Sequence, residues 1–295
     1  MPKSFRSGYV SLIGKPNVGK STLLNLFLGQ KISIVTEKPQ TTRNRILGIK
    51  TLEDAQIIFI DTPGIHRPKH MLGQTMVKTA TNTLNEIDLI VFITEAQLPA
   101  KPDRDIIDLL RDVNKPVILA INKIDKAKKS ELLTVIDEYG KLFSFKEIVP
   151  ISALKQDGTD ELLESIMKYL AEGPKFYPDE QITDQIERFM AAEIIREKIM
   201  QKTSEEIPHS VAVEIVDWKK RKDGLVSVSA NIFVEREGQK GIIIGNKGNM
   251  LKLIGSLSRV DIERLLGTKV FLQIWVKVKK GWRDDKKALN EMGYS

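Results

Sequence analysis

Four short segments carry residue types that could act on one ligand. Gly14-Lys15-Pro16-Asn17-Val18-Gly19-Lys20-Ser21 fits the pattern G-x-x-x-x-G-K-[ST]. Its glycines let backbone N–H groups turn inward around phosphates, and a helix that starts there adds the partial positive charge of its N-terminus. Lys20 adds a full charge, and the Ser21 hydroxyl can ligate Mg2+. Asp61-Thr62-Pro63-Gly64 supplies a carboxylate for the same metal and, at Gly64, an N–H for a terminal phosphate. In Asn122-Lys123-Ile124-Asp125, the Asp125 carboxylate can accept from the N1–H and exocyclic amine of guanine, a donor pair that adenine lacks. Asn122 would brace that loop, and Ser152-Ala153-Leu154 offers a backbone N–H to the guanine O6. The expected phosphate set is therefore Gly14 to Ser21 with Asp61 to Gly64. The expected base set is Asn122, Lys123, Asp125, Ser152, Ala153 and Leu154.

These segments gain force from the elements that would hold them. Short apolar runs at Tyr9–Ile13, Ile46–Leu52, Gln56–Ile60, Leu89–Thr94, Val117–Ile121 and Ile148–Ile151 read as strands. Helical patterns fit Lys20–Leu28, Pro102–Val113, Ser130–Leu142 and Thr159–Leu170. Strands separated by helix-length segments imply βαβ units and a mostly parallel sheet, with each chemical segment at a strand end. Gly173-Pro174-Lys175-Phe176-Tyr177-Pro178 then reads as a linker. Beyond it the pattern changes to a helix over Asp184–Lys202, strands over Ser210–Trp218 and Leu225–Val234, two short helices over Asn249–Ile254 and Ser258–Leu266 divided near Gly255, and a strand over Lys269–Val278.

Composition narrows the class. Apolar residues make up 41% of the 295 and charged residues 29%, which excludes a disordered or collagen-like chain. With no cysteine, disulfides and thiolate metal sites are excluded, and three histidines make a histidine-rich zinc site a poor expectation. No apolar run approaches the roughly 18 residues of a membrane span. Met1–Gly8 has no signal-peptide core, so the expected location is the cytoplasm. Residues 236–287 hold 13 basic and 5 acidic side chains, a concentration that suggests a polyanionic partner. Lys280 and Trp282 in the tail pair a cation with a ring, which suits single-stranded nucleic acid; of Trp275 and Trp282, Trp282 is the expected exposed contact.

Over roughly residues 7–172 the motifs resemble the translation-factor-like GTPases. By that resemblance Gln40-Thr41-Thr42-Arg43-Asn44 is the first switch, and Thr42, or less well Thr41, joins Ser21 and Asp61 on Mg2+ when GTP is bound. Residues 30–45 and 62–82 would be the mobile switches. The resemblance implies Lys20, Thr42, Gly64 and Asn17 as the catalytic set. It stops short at Ile65, where many GTPases carry a water-orienting glutamine, so slow intrinsic hydrolysis is expected. Asn17 resembles an asparagine that holds K+ in some relatives, and it equally suits a plain loop position. His66 reads as a solvated loop histidine rather than a base.

The α-β-β-α-α-β order with Gly245-Asn246-Lys247-Gly248 before a helix resembles a type II KH domain over roughly residues 203–280. Gly245, Asn246, Lys247, Gly248, Ile243, Ile244 and Lys252 are then RNA candidates, with Lys280 and Trp282. The expected fold is an α/β P-loop GTPase domain with a mostly parallel sheet followed by a smaller α+β type II KH domain. The expected boundaries are 1–174 for the GTP-binding domain, 175–202 for the linker and first helix, 203–280 for the KH domain and 281–295 for the tail. The whole arrangement resembles the Era family of bacterial GTPases. That resemblance implies GTP and GDP as ligands with Mg2+ and a possible K+. It also implies single-stranded 16S rRNA near its 3′ end and the 30S subunit as partners, peripheral contact with the inner membrane face, and a monomer. An RNA-binding adaptor with a structural nucleotide, and an RNA-modification GTPase, are the other readings; no segment is large enough for the catalyst the latter needs.

Overall fold

A computed structural model describes residues 5–38, 41–65, 68, 70–84, 86–222 and 224–294; Gln40 of the first switch and His66 lie outside the described residues. Contacts divide the chain into two units. One holds residues up to Ser33, Thr42–Pro68 and Met76–Asp184, and the other holds Ile34–Thr41, Lys69–Thr75 and Gln185–Ser295.

In chain order the first unit is built from β1 (Arg6–Ile13), α1 (Lys20–Leu28), β2 (Ile46–Thr51), β3 (Ala55–Asp61), the part of α2 (Met71–Thr83) from Met76 onward, β4 (Leu89–Glu95), α3 (Lys101–Arg111), β5 (Val117–Asn122), α4 (Lys129–Leu142), β6 (Glu147–Pro150) and α5 (Thr159–Tyr169). The sheet runs β2-β3-β1-β4-β5-β6, with β2 antiparallel to β3 and the other pairs parallel. Every residue of β3 and β5 is buried, as expected of strands covered on both faces. The parallel pairing aligns the C-terminal ends of β1, β3, β5 and β6 on one edge, where ligands of open α/β sheets bind. The segment α2 is a further helix, absent from those the sequence pattern predicts. Residues up to Asp184 stay with this unit: Ile49 N–H donates to Ile182 O at 2.7 Å, and Gln56 Nε2 donates to Tyr177 O at 2.8 Å.

The second unit adds α6 (Glu187–Lys202), α7 (Ile207–Ser210), β7 (Ala212–Lys220), β8 (Val226–Val234), α8 (Glu237–Ile244), α9 (Asn249–Leu266), β9 (Val270–Val278) and α10 (Lys286–Glu291). The sheet order is β7-β8-β9, with β7 antiparallel and β9 parallel to β8. Its core joins Ile194, Ile195 and Ile199 of α6 to Val228, Ala230 and Ile232 of β8 and to Ile254 and Ile262 of α9. The α-β-β-α-α-β order holds with different helices from those expected. α8 was not anticipated; the Gln239 side chain accepts from the N–H of Glu235 and of Arg236 and so starts it. The two short helices expected after residue 249 are one, α9. Gly255 does not break it: a Cβ there would stand 3.3 Å from Ile274 Cδ1, so the glycine lets helix and strand pack closely.

Candidate nucleotide site and nucleic-acid groove

The segment Gly14–Ser21 leaves β1 and enters α1, whose N-terminus is set by Gly19 at φ 106°. A Cβ on Gly19 would lie 2.2 Å from Asn122 Nδ2, so only glycine fits. Lys20 folds over the loop and donates to Gly14 O at 3.1 Å and Lys15 O at 3.0 Å. Burial pushes its pKa down to about 8, against the pull of the Asp61 charge. Lys15 is engaged by Asp103 at 3.0 Å, which leaves Lys20 as the cation within the loop. Gly64 lies against the loop, since a Cβ there would meet Pro16 N at 2.9 Å. The segments Gly14–Ser21 and Asp61–Gly64 are thus in contact. Thr62 is buried and ties its hydroxyl to Leu12 O at 3.1 Å.

Asp61 is fully buried, and three hydroxyls converge on its Oδ2: Ser21 at 2.7 Å, Ser33 at 2.8 Å and Thr42 at 3.3 Å. Ser21 and Thr42 hydroxyls are 3.0 Å apart. Burial raises the Asp61 pKa; Lys20 and the three hydroxyls oppose that rise. Its Oδ1 is buried and has no hydrogen-bond partner among the described residues. An all-oxygen donor set around an unpaired carboxylate oxygen fits a hard cation such as Mg2+. The two candidate threonines face different ways: Thr41 turns its hydroxyl to Thr36 and to Lys38 O, and Thr42 faces Asp61. Ser33 joins this cluster without having been singled out from sequence. Arg43 is buried and Asn44 partly so. Ile65 packs on the core below β4 and β5, an apolar wall rather than a water-orienting group.

Asn122 ends β5 and ties three loops together. Its Nδ2 donates to Val18 O at 2.7 Å, and its Oδ1 accepts from Lys123 N–H at 2.8 Å and Ala153 N–H at 3.0 Å. Lys123, at φ 65°, lies along the phosphate loop, bonded to Asn17 O at 2.7 Å and to the Glu95 carboxylate. Asn17 itself is exposed at φ 66°. Asp125 is exposed and is oriented by the Ser152 hydroxyl at 2.6 Å, which also holds its carboxyl below the usual range. Leu154 stands 70% exposed beside it.

In the second unit Gly245 (φ 71°), Lys247 (φ 50°) and Gly248 (φ 80°) form a tight turn between α8 and α9. Asn246 and Lys247 are exposed on it. The turn opens into a groove of about 420 Å³ lined by Gly248, Leu251, Lys252, Gly255, Ser256 and Arg259 on the helix side and Leu272 and Ile274 of β9 opposite. Lys252 and Arg259 supply two cations to an otherwise small-residue and aliphatic slot. Two expected contacts are corrected. Ile243 is fully buried in the core, because the helical turn of α8 points it inward; Ile244 packs partly on the same cluster. Trp282 is also fully buried, its Nε1 donating to Ser210 O at 3.1 Å and its ring stacked on Tyr294. Trp275 is the exposed one, at 44%, and Lys280 is exposed too. The groove-lining residues Leu251, Arg259, Leu272 and Ile274 were missed from sequence, because nothing local marks which face of α9 meets β9.

The fold and the two sites define a P-loop GTPase joined to a KH module. Residues 9–123 match the family described as "50S ribosome-binding GTPase", and residues 206–283 match the KH domain. GTPase Era of Ruminiclostridium cellulolyticum is 52% identical over 292 residues, 99% of this chain and 98% of the relative. GTPase Era of Geobacter metallireducens is 54% identical over 293 residues, with the same coverage. A crystal structure of Era in complex with MgGDPNP and nucleotides 1506-1542 of 16S ribosomal RNA matches with a TM-score of 0.96 and 46% identity, covering 99% of each chain. A variant of Aquifex aeolicus Era bound to GDP.AlF4- matches equally well, over 99% of this chain and all of that one. The chain belongs to the Era family of GTPases, and its reaction is the hydrolysis of GTP to GDP and phosphate.

Proposed function

We propose that this chain is a GTP-driven switch that binds single-stranded 16S rRNA near its 3′ end and assists assembly of the 30S subunit. The observation that carries the reading is the 46% identity, over nearly the whole chain, to Era held with MgGDPNP and that RNA segment. The groove between α9 and β9, with its glycine turn and paired cations, supports it.

Asp125 accepts from the guanine edge and Asn122 keeps its loop against the phosphate loop. Lys20 moves from the loop carbonyls to the β- and γ-phosphates, and Gly64 donates its N–H to the γ-phosphate. Ser21, Asp61 and Thr42 hold Mg2+, which supplies charge neutralisation to the phosphate oxygens. Loss of the γ-phosphate removes the hold on Gly64 and Thr42, and the segments that carry them relax. With Ile65 unable to orient water, intrinsic turnover is slow, and K+ held at Asn17 is the proposed aid. The proposed setting is the cytoplasm, as a monomer, with peripheral contact at the inner membrane face.

The test is affinity for a short 16S 3′-end RNA at fixed salt and Mg2+, with GDP and with a non-hydrolysable GTP analogue. Tighter binding with the analogue is expected. By linkage the RNA must then tighten analogue binding by the same factor. Equal binding in the two states would leave an RNA-binding adaptor without a switch.

A further inference from the structure

The outer face of the second sheet is a separate surface. Side chains alternate along β9: Leu272 and Ile274 face the groove, and Phe271, Gln273, Trp275 and Lys277 face the other way. Phe271 is 45% exposed and Trp275 44%, large values for rings in a strand. They sit four residues apart on one face, about 13 Å along the strand. That spacing is too wide for one base and suits two. Between them, on β8, Ser227, Ser229 and Asn231 pair with Phe271, Gln273 and Trp275, so the floor is polar rather than aliphatic.

The charge on this face is uneven. Toward the C-terminal end of β9 and just past it, Lys277 and Lys280 are exposed, while Lys279 is paired with Glu291 at 2.8 Å. Arg221, from the β7–β8 turn, lies over the Phe271 ring at 5.6 Å from its centroid. The acids Glu214 and Asp217 belong to β7 at the far side, and Asp217 is paired with Lys219 at 3.0 Å. The β9 side is thus aromatic and cationic. β9 is an edge strand, so the groove and this face are the two sides of one strand.

We propose that the outer face of β9 stacks bases of single-stranded RNA that leaves the groove across the free edge of the strand, with Trp275 and Phe271 as platforms. Lys277 and Arg221 meet the backbone of that segment. The occupant is RNA because exposed rings over a polar floor, flanked by cations and continuous with the groove, match the way single strands are held. The inference rests on the reading of the groove as an RNA site.

The test uses the full chain and two oligoribonucleotides: one of about four nucleotides, the length a glycine turn of this kind clamps, and the same sequence extended at each end by about six. Trp275→Ala and Phe271→Ala should each weaken the extended RNA about five- to 150-fold, the effect of one lost stacked base. Binding of the short RNA should be unchanged, and Trp275→Phe should retain most of the extended affinity. In the parent chain the extended RNA alone should quench tryptophan emission, and that quenching should vanish in Trp275→Phe. Unchanged affinity of the alanine variants for the extended RNA, or an equal loss for the two RNAs, overturns the proposal. So does a parent chain that sediments as a dimer which Trp275→Ala dissociates, since the face would then bind protein. A parent chain that binds neither RNA overturns the groove reading instead.

Discussion

Asn122→Ala should cost the nucleotide site more than any single substitution that leaves the phosphate loop intact. The side chain is 2% exposed and makes three hydrogen bonds, to Val18 O, Lys123 N–H and Ala153 N–H. Each is worth about 1 kcal/mol net, and leaving the buried Val18 carbonyl unpaired adds about 1–2 kcal/mol. The total of about 4–5 kcal/mol falls on loops that the nucleotide would then have to order itself. At about 1.4 kcal/mol per factor of ten, affinity for GDP and for a GTP analogue should drop about a thousandfold. Isothermal calorimetry with Mg2+ measures this, with circular dichroism to confirm that the first unit stays folded. Asn122→Asp isolates one strut: it keeps the acceptors, loses the donor to Val18 O, and should fall between parent and alanine. A folded Asn122→Ala chain that binds nucleotide within fivefold of the parent would refute the bracing argument, because the loops would then be held by something other than this side chain.

Other expectations follow from the same geometry. Asp125→Asn should lower GTP affinity tens- to a hundredfold and erase its preference over ATP, measured by competition, because the carboxylate proposed to accept two base donors would be gone. Ser152 holds the Asp125 pKa down, so guanine binding should persist to lower pH than an ordinary carboxylate allows. Ser152→Ala should move the acidic limb of the affinity profile upward. Lys247→Ala should weaken RNA binding across sequences and reduce the salt slope by about 0.7. Trp282→Ala should destabilise the second unit by about 3–5 kcal/mol through a cavity and an unpaired Ser210 carbonyl, read as an earlier urea midpoint.

The candidate nucleotide site was legible because its parts are contiguous in sequence and each sits at a strand end. Gly14–Ser21, Asp61–Gly64 and Asn122–Asp125 need only the parallel sheet to bring them together. Even there, which of Thr41 and Thr42 faces Asp61 depended on packing that no local pattern encodes, and Ser33 stayed hidden because a lone serine carries no signal. The second unit was harder. Gly255 looks like a helix breaker, and its meaning appears only when Ile274 is seen against it. Ile243 and Ile244 look like a groove wall, and Gln239 instead starts a helix that buries Ile243. Trp275 and Trp282 exchanged expected roles. Alternation in β9 puts Trp275 on the outer face, while the chain after β9 folds Trp282 back onto Ser210.

The parallel pairing of β8 with β9 has a consequence for how the chain matures. Every residue of the nucleotide site lies between Gly14 and Leu154, whereas the groove needs Leu272 and Ile274, placed by the register Val226↔Val270 across two intervening helices. Domains tend to fold as they are synthesised, N-terminal first. The first unit can therefore be complete before the groove between α9 and β9 exists. A chain clipped between Asp184 and β9 keeps the whole first unit and never acquires the groove. Such a fragment would hold the candidate nucleotide segments without the groove.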